Sequence, residues 1–92
     1  MGLYLITYDL RAPGRNYDSL HRLLGTTWKG KKLAESVWVA SLKGPASAVR
    51  DFIRTTIDRN DRVVVIELKA PFDWASIHGL TGGVQLLRAH SP

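Results

Sequence analysis

Among the acids of this chain, Asp9 stands where chemistry could be built. It closes the apolar run Tyr4-Leu5-Ile6-Thr7-Tyr8 and is followed by the basic turn Arg11-Ala12-Pro13-Gly14-Arg15-Asn16. Taking a carboxylate out of water at a strand end is costly unless it is paired, hydrogen-bonded or metal-bound. An acid beside clustered arginines offers a hard oxygen ligand for a divalent cation and guanidiniums for phosphate oxygens. The plainer role for Asp9 is to cap or salt-bridge its own loop, and at this level both roles stay open. His21, His78 and His90 are scattered with no second ligand at helical or hairpin spacing, which argues against zinc. No Ser/His/Asp arrangement is legible, and Gly79-Leu80-Thr81-Gly82-Gly83 lacks the Lys-Ser/Thr ending of a phosphate loop.

The net charge is +5, and its distribution says more than its size. Arg11, Arg15, Arg22, Lys29, Lys31 and Lys32 lie within one stretch that holds Asp18 as its only acid. Such a cluster attracts a polyanion by counterion release, which makes these six the candidate nucleic-acid contacts; a solvated basic face is the alternative. Trp28, Trp38 and Trp74 could stack bases, although packing is the stronger reading for Trp38. The absence of cysteine excludes a disulfide framework, a thiolate zinc site and a thiol nucleophile. No apolar run approaches the roughly 20 residues needed to span a bilayer, and the start of the chain lacks a signal-peptide pattern. The expected setting is cytoplasmic, with no membrane partner.

These residues need elements to hold them. Ninety-two residues make one small domain. Leu3 to Asp9 reads as a strand rich in Leu, Ile, Thr and Tyr. Asn16 can cap a helix of about 11 residues, with Tyr17, Leu20, Leu23, Leu24 and Trp28 at helical spacing. Lys29-Gly30-Lys31-Lys32 reads as a loop. Leu33 to Leu42 is extended, with a break at Glu35-Ser36. A second helix opens at Gly44-Pro45 and runs to Asp58, with Ala46, Val49, Phe52, Ile53 and Ile57 on its apolar face. Val63 to Leu68 is a β-branched strand. Val84 to Leu87 reads as a short last strand in a Gly-interrupted tail.

The order β-α-β-β-α-β suits an α+β, ferredoxin-like sandwich over residues 1–70, with 71–92 as a C-terminal extension whose short strand completes a sheet in a dimer. Alternation sets Leu3, Leu5, Thr7 and Asp9 on one side of the first strand and Tyr4, Ile6 and Tyr8 on the other. Both sides are largely apolar, yet two helices cover one face only. The expectation is a homodimer through the uncovered face of the sheet.

The opening Tyr4-Leu5-Ile6-Thr7-Tyr8-Asp9-Leu10, then Pro13-Gly14-Arg15-Asn16-Tyr17, Glu35-Ser36-Val37-Trp38 and Arg50-Asp51, with the closing Ile57-Asp58-Arg59-Asn60-Asp61-Arg62-Val63, share an order and spacing. The pattern resembles the small CRISPR-associated dimeric ferredoxin-like proteins that act with the spacer integrase. It also resembles their VapD-type toxin and SinR-like relatives, the SinR-like group most of all. The resemblance implies a dimer in which Asp9 of each subunit holds a shared Mg²⁺ or Mn²⁺ for RNA or DNA phosphodiester hydrolysis. Tyr8, Ser36 and Glu67 are auxiliary candidates, Glu67 as a second acid if strand register puts it on the face of Asp9. The alternative it implies is a non-catalytic dimeric scaffold or adaptor, with a regulatory or toxin–antitoxin-like role. Where the CRISPR-associated branch follows Ser-Val with Phe and an acid, this chain has Trp38 and Val39. An integrase partner is possible on the resemblance and cannot be inferred from one chain.

Overall fold

The computed structural model describes residues 1–91; Pro92, the last residue of the expected extension, lies outside them. Four strands build one antiparallel sheet: β1 (Gly2–Asp9), β2 (Lys31–Ala34), β3 (Val37–Leu42) and β4 (Arg62–Leu68). They lie in the order β2-β3-β1-β4, with β1 paired to both β3 and β4. Helix α1 (Asp18–Arg22) continues into a π-helical turn (Leu23–Thr27), α2 spans Ala46–Arg54, and α3 spans Thr81–His90. This α+β architecture is compatible with a ferredoxin-like arrangement.

Strand alternation creates two cores. Tyr4, Ile6 and Tyr8 of β1 pack with Ala40 and Leu42 of β3 against Leu20, Leu24, Val49 and Ile53 of the first two helices. On the opposite face Leu3 and Val39 are buried under Leu87 of α3, with Leu5, Leu33, Leu68, Phe72, Trp74 and Leu86 packed around them. The second face is therefore partly covered by the chain itself. Val64 and Ile66 of β4 stay 52% and 49% exposed on that side.

The expected strand at Val84–Leu87 is corrected: these residues are the middle of α3. Glycines at 82 and 83 argue against a helix on propensity. A side chain at Gly83, however, would meet the Lys32 carbonyl oxygen and Leu33 Cα at 2.7 Å. The missing Cβ lets the helix lie directly on β2. The Leu80 N–H donates to the Leu33 carbonyl at 3.0 Å, so the start of α3 occupies the outer edge of the sheet. The tail is fastened by Ser91, whose hydroxyl donates to the Phe72 carbonyl (2.7 Å) and whose carbonyl accepts from the Trp74 indole (2.7 Å).

Three further expectations shift. Lys31 and Lys32 belong to β2 rather than to a loop, paired with Val39 and Trp38; lysines are common on edge strands. Helix α2 ends at Arg54, because the hydroxyls of Thr55 and Thr56 take the carbonyls of Phe52 and Ile53 at 2.7 Å each. Phe52 is not a core residue. It is 62% exposed, at the margin of the stripe whose centre is Val49 and Ile53. Asn16 still serves the first helix, accepting the Asp18 N–H at 2.7 Å, although Tyr17 takes the cap position.

Among the described residues, no helix is long and apolar enough to cross a membrane.

Candidate functional site

Antiparallel pairing of β1 with β4 decides what surrounds Asp9. The register Leu5↔Ile66, Thr7↔Val64, Asp9↔Arg62 puts the end of β1 beside the start of β4. Facing residues of an antiparallel pair share a sheet face. Asp9 Oδ2 accordingly lies 3.3 Å from Arg62 and 3.3 Å from Arg11, in pairs open to solvent. Such exposed pairs contribute about 0–1 kcal/mol. The salt-bridge role for Asp9 is thus present in the fold.

A second acid organises the loops. Asp61 accepts from the Arg11 N–H (2.6 Å), the Asp58 N–H (2.8 Å) and the Tyr17 hydroxyl (2.8 and 3.0 Å to its two oxygens). Burial alone would raise its pKa. The two N–H donors, the Tyr17 hydroxyl and the charge of Arg15 outweigh that and hold it below the usual aspartate value. Burial and the same hydrogen bond push the Tyr17 phenol up. Arg15 lies over the Tyr17 ring, 5.7 Å from its centre. The loop after β1 is thereby tied to the turn before β4.

Beside this knot opens a cleft of about 690 Å³, lined by Arg50, Arg54, Arg59, Arg62, Asp58 and Asp61 with Ile57 and Val63. Its acids are occupied inward: Asp61 as described, and Asp58 Oδ2 accepting the Asn60 N–H at 3.0 Å. Asp51 neutralises part of the rim, 3.0 Å from Arg50 and 3.9 Å from Arg54. Arg59 has no ion pair among the described residues. Asp58 and Asp61 hold loop backbone, Arg50, Arg54 and Arg62 stand in exposed ion pairs, and Arg59 is left to open space. A guanidinium fork matches phosphate oxygens in a two-point contact.

The sequence candidates separate into groups. Asp9, Arg11 and Arg15 come together at this end. Arg22 is exposed on α1. Lys29 and Lys31 line a different cavity with Met1 and Trp28, and Lys32 is exposed on β2. Tyr8 belongs to the core, its hydroxyl accepting the Trp38 indole N–H at 3.1 Å. Ser36 offers its carbonyl to the Tyr8 N–H (3.3 Å) in the β2–β3 turn. Glu67 stands opposite Tyr4, so it shares the face of Tyr4 and Ile6 and not that of Asp9. Register therefore removes it as a second acid for Asp9 within one chain.

Arg50, Arg54, Arg59, Arg62 and Asp61 were not among the sequence candidates. The signal for them was the run Asp58-Arg59-Asn60-Asp61-Arg62 just ahead of a strand, with arginines at 50 and 54 one helical turn apart. Among the described residues no three His, Asp or Glu side chains are placed to hold a metal ion. Among the described strand residues that share its face, Asp9 is the one acid, and its Oδ2 already lies beside two guanidiniums. No known protein family, curated protein or solved structure matches this chain.

Proposed function

We propose that this protein binds nucleic acid by its phosphate backbone at the arginine-lined end of the sheet, as a dimeric scaffold without hydrolysis. The observation that carries this reading is the cleft lined by four arginines, Arg59 with no ion pair among the described residues and the other three in solvent-exposed pairs, where Asp58 and Asp61 are committed to loop backbone. The alternative, hydrolysis at a Mg²⁺ or Mn²⁺ shared between the Asp9 residues of two copies, is disfavoured by Arg11 and Arg62 at 3.3 Å from the would-be ligand.

The test is a salt series of binding to labelled duplex DNA, with single- and double-stranded RNA alongside. In the Arg54→Ala/Arg59→Ala variant the slope of log K against log salt is expected to fall by about 1.8, from roughly 0.9 per lost phosphate contact. An unchanged slope would sink the cleft as the contact surface. Asp9→Ala removes a negative charge beside Arg11 and Arg62, so it is expected to bind no more weakly than the parent. Cleavage by the parent in Mg²⁺ or Mn²⁺, abolished in Asp9→Ala, would instead establish the shared-metal mechanism.

Pairing of two copies belongs to the same proposal. Its support is the strip of Val64 and Ile66, half exposed beside Thr7 on a sheet face that α3 covers only in part. Light scattering is expected to report a dimer at micromolar concentration. Ile66→Lys, at an exposed site, should convert it to a folded monomer. A parent that is already monomeric would refute the pairing.

A further inference from the structure

The lysines that fell away from the arginine end surround an aromatic surface of their own. The π-helical turn closes with the Trp28 N–H donating to the Leu23 carbonyl at 2.9 Å. Lys29 follows with φ of 53°, a left-handed conformation that a lysine adopts only where its surroundings impose it. The Gly30 N–H then donates to the Leu24 carbonyl at 2.8 Å and turns the chain into β2. Trp28 is left half-buried, its ring meeting the exposed ring of Phe52 edge to face with centres 6.2 Å apart.

Two adjoining cavities share Trp28 and Met1. One, of about 270 Å³, runs between Phe52, Leu42 and Lys43. The other, of about 320 Å³, is bordered by Lys29, Lys31 and Leu86. Neither lining contains an acid. The other two indoles are engaged, Trp38 with the Tyr8 hydroxyl and Trp74 with the Ser91 carbonyl, whereas the Trp28 indole N–H has no partner among the described residues.

We infer that this surface takes unpaired bases of a single-stranded nucleic acid, which stack on Phe52 and Trp28 while Lys29, Lys31 and Lys43 hold the flanking phosphates. Aromatic faces beside a positive rim are the combination that binds single strands without reading sequence. In a duplex the bases are stacked on one another and cannot reach such faces, so a duplex would engage the lysines alone. An acidic peptide would satisfy the lysines and leave the two rings without an equivalent partner. The inference deepens the nucleic-acid reading above and rests on it, at a surface distinct from the arginine cleft.

The experiment compares an unlabelled single strand of about 12 nucleotides with a duplex of the same sequence. Binding is read by tryptophan emission and by competition. The single strand is expected to quench emission, and Phe52→Ala is expected to weaken its binding by about 5- to 150-fold, the range for losing one stacked base. Duplex binding should be unchanged in Phe52→Ala. Lys43→Ala should lower the single-strand salt slope by about 0.7. Phe52 is exposed, so Phe52→Ala should leave the fold intact, which circular dichroism checks. A Phe52→Ala protein that binds single strands like the parent, while Arg54→Ala/Arg59→Ala is impaired, overturns this inference and leaves the proposed function standing. Loss in Phe52→Ala with full binding in the arginine variant overturns the arginine cleft instead. A parent that binds no nucleic acid overturns both.

Discussion

Gly83→Ala is expected to destabilise the protein by about 2 kcal/mol, and Gly83→Val by more, the range for forcing extra atoms into a packed interior. Propensity alone points the other way, since alanine for glycine inside a helix ordinarily gains about 0.5–1 kcal/mol. The contact decides the sign. The new Cβ would sit 2.7 Å from a carbonyl oxygen and a Cα of β2, and neither can swing aside as a flexible side-chain end would. Helix α3 must rise from the strand, which uncovers Leu3, Val39 and Leu87. Gly82→Ala is the matched control. A Cβ there meets only the aliphatic stem of Lys31, at 3.5 Å and beyond, so the change should be neutral or stabilise by about 0.5 kcal/mol. Urea unfolding of the two variants measures both signs. Equal stability would mean that α3 is not seated on β2. Hydrogen exchange should report early opening of residues 81–90 in Gly83→Val.

Asp61→Ala should cost about 2–3 kcal/mol, because hydrogen bonds to a charged acceptor are worth more than neutral ones and several are lost together. For a domain of this size that lowers Tm by on the order of 10 °C. The loss falls on the tie between the β1–α1 loop and the turn before β4, since Arg11, Tyr17 and Asp58 all bond this side chain. The same carboxylate makes stability depend on acid. Its native pKa is depressed below 3.8, so the unfolded chain binds its proton first as pH falls. The stabilisation is complete above the ordinary aspartate value and is lost as pH drops through the depressed one. Asp61→Asn keeps one acceptor oxygen but does not titrate. Its stability should therefore change less than the parent's between about pH 5 and pH 2. Parallel curves for the two proteins would contradict the role given to Asp61.

Much of the fold was legible because local pattern and tertiary need agreed. The alternation in β1, the β-branched run of β4 and the turn at Glu35-Ser36 are signals within a few residues of chain. Val84–Leu87 read as a strand because what makes 81–90 a helix is not local. Glycine lowers helix propensity at 82 and 83, and only the nearness of β2 turns the missing side chain at 83 into an advantage. The exposure of Phe52 was illegible for a related reason. Its spacing from Val49 and Ile53 fits a core stripe, and only the placement of Trp28 reveals where the stripe ends.

The candidate site was legible only in its first half. Asp9, Arg11 and Arg15 form a local run, but Asp61 and Arg62 arrive from more than forty residues away through the antiparallel register of β1 and β4. Once that register is granted, residue 62 must face residue 9, and Glu67 must leave the face of Asp9. The lysines diverge from the arginines because β2 lies across β3 from β1, at the opposite margin of the sheet. Nearness along the chain there was not nearness in space.

The two margins of the sheet also differ in what they can accept. On the β2 side the Leu33 carbonyl is taken by the Leu80 N–H at the start of α3, whereas among the described residues no such loop or helix bond is made to β4. Considered as a building unit, the sheet has unlike margins: a strand added at β4 would find an open ladder, while one added at β2 would compete with α3 for Leu33. Extending the sheet beyond β2 would first have to displace the Leu80–Leu33 bond, so the fold resists growth at that margin without giving up a residue of its core.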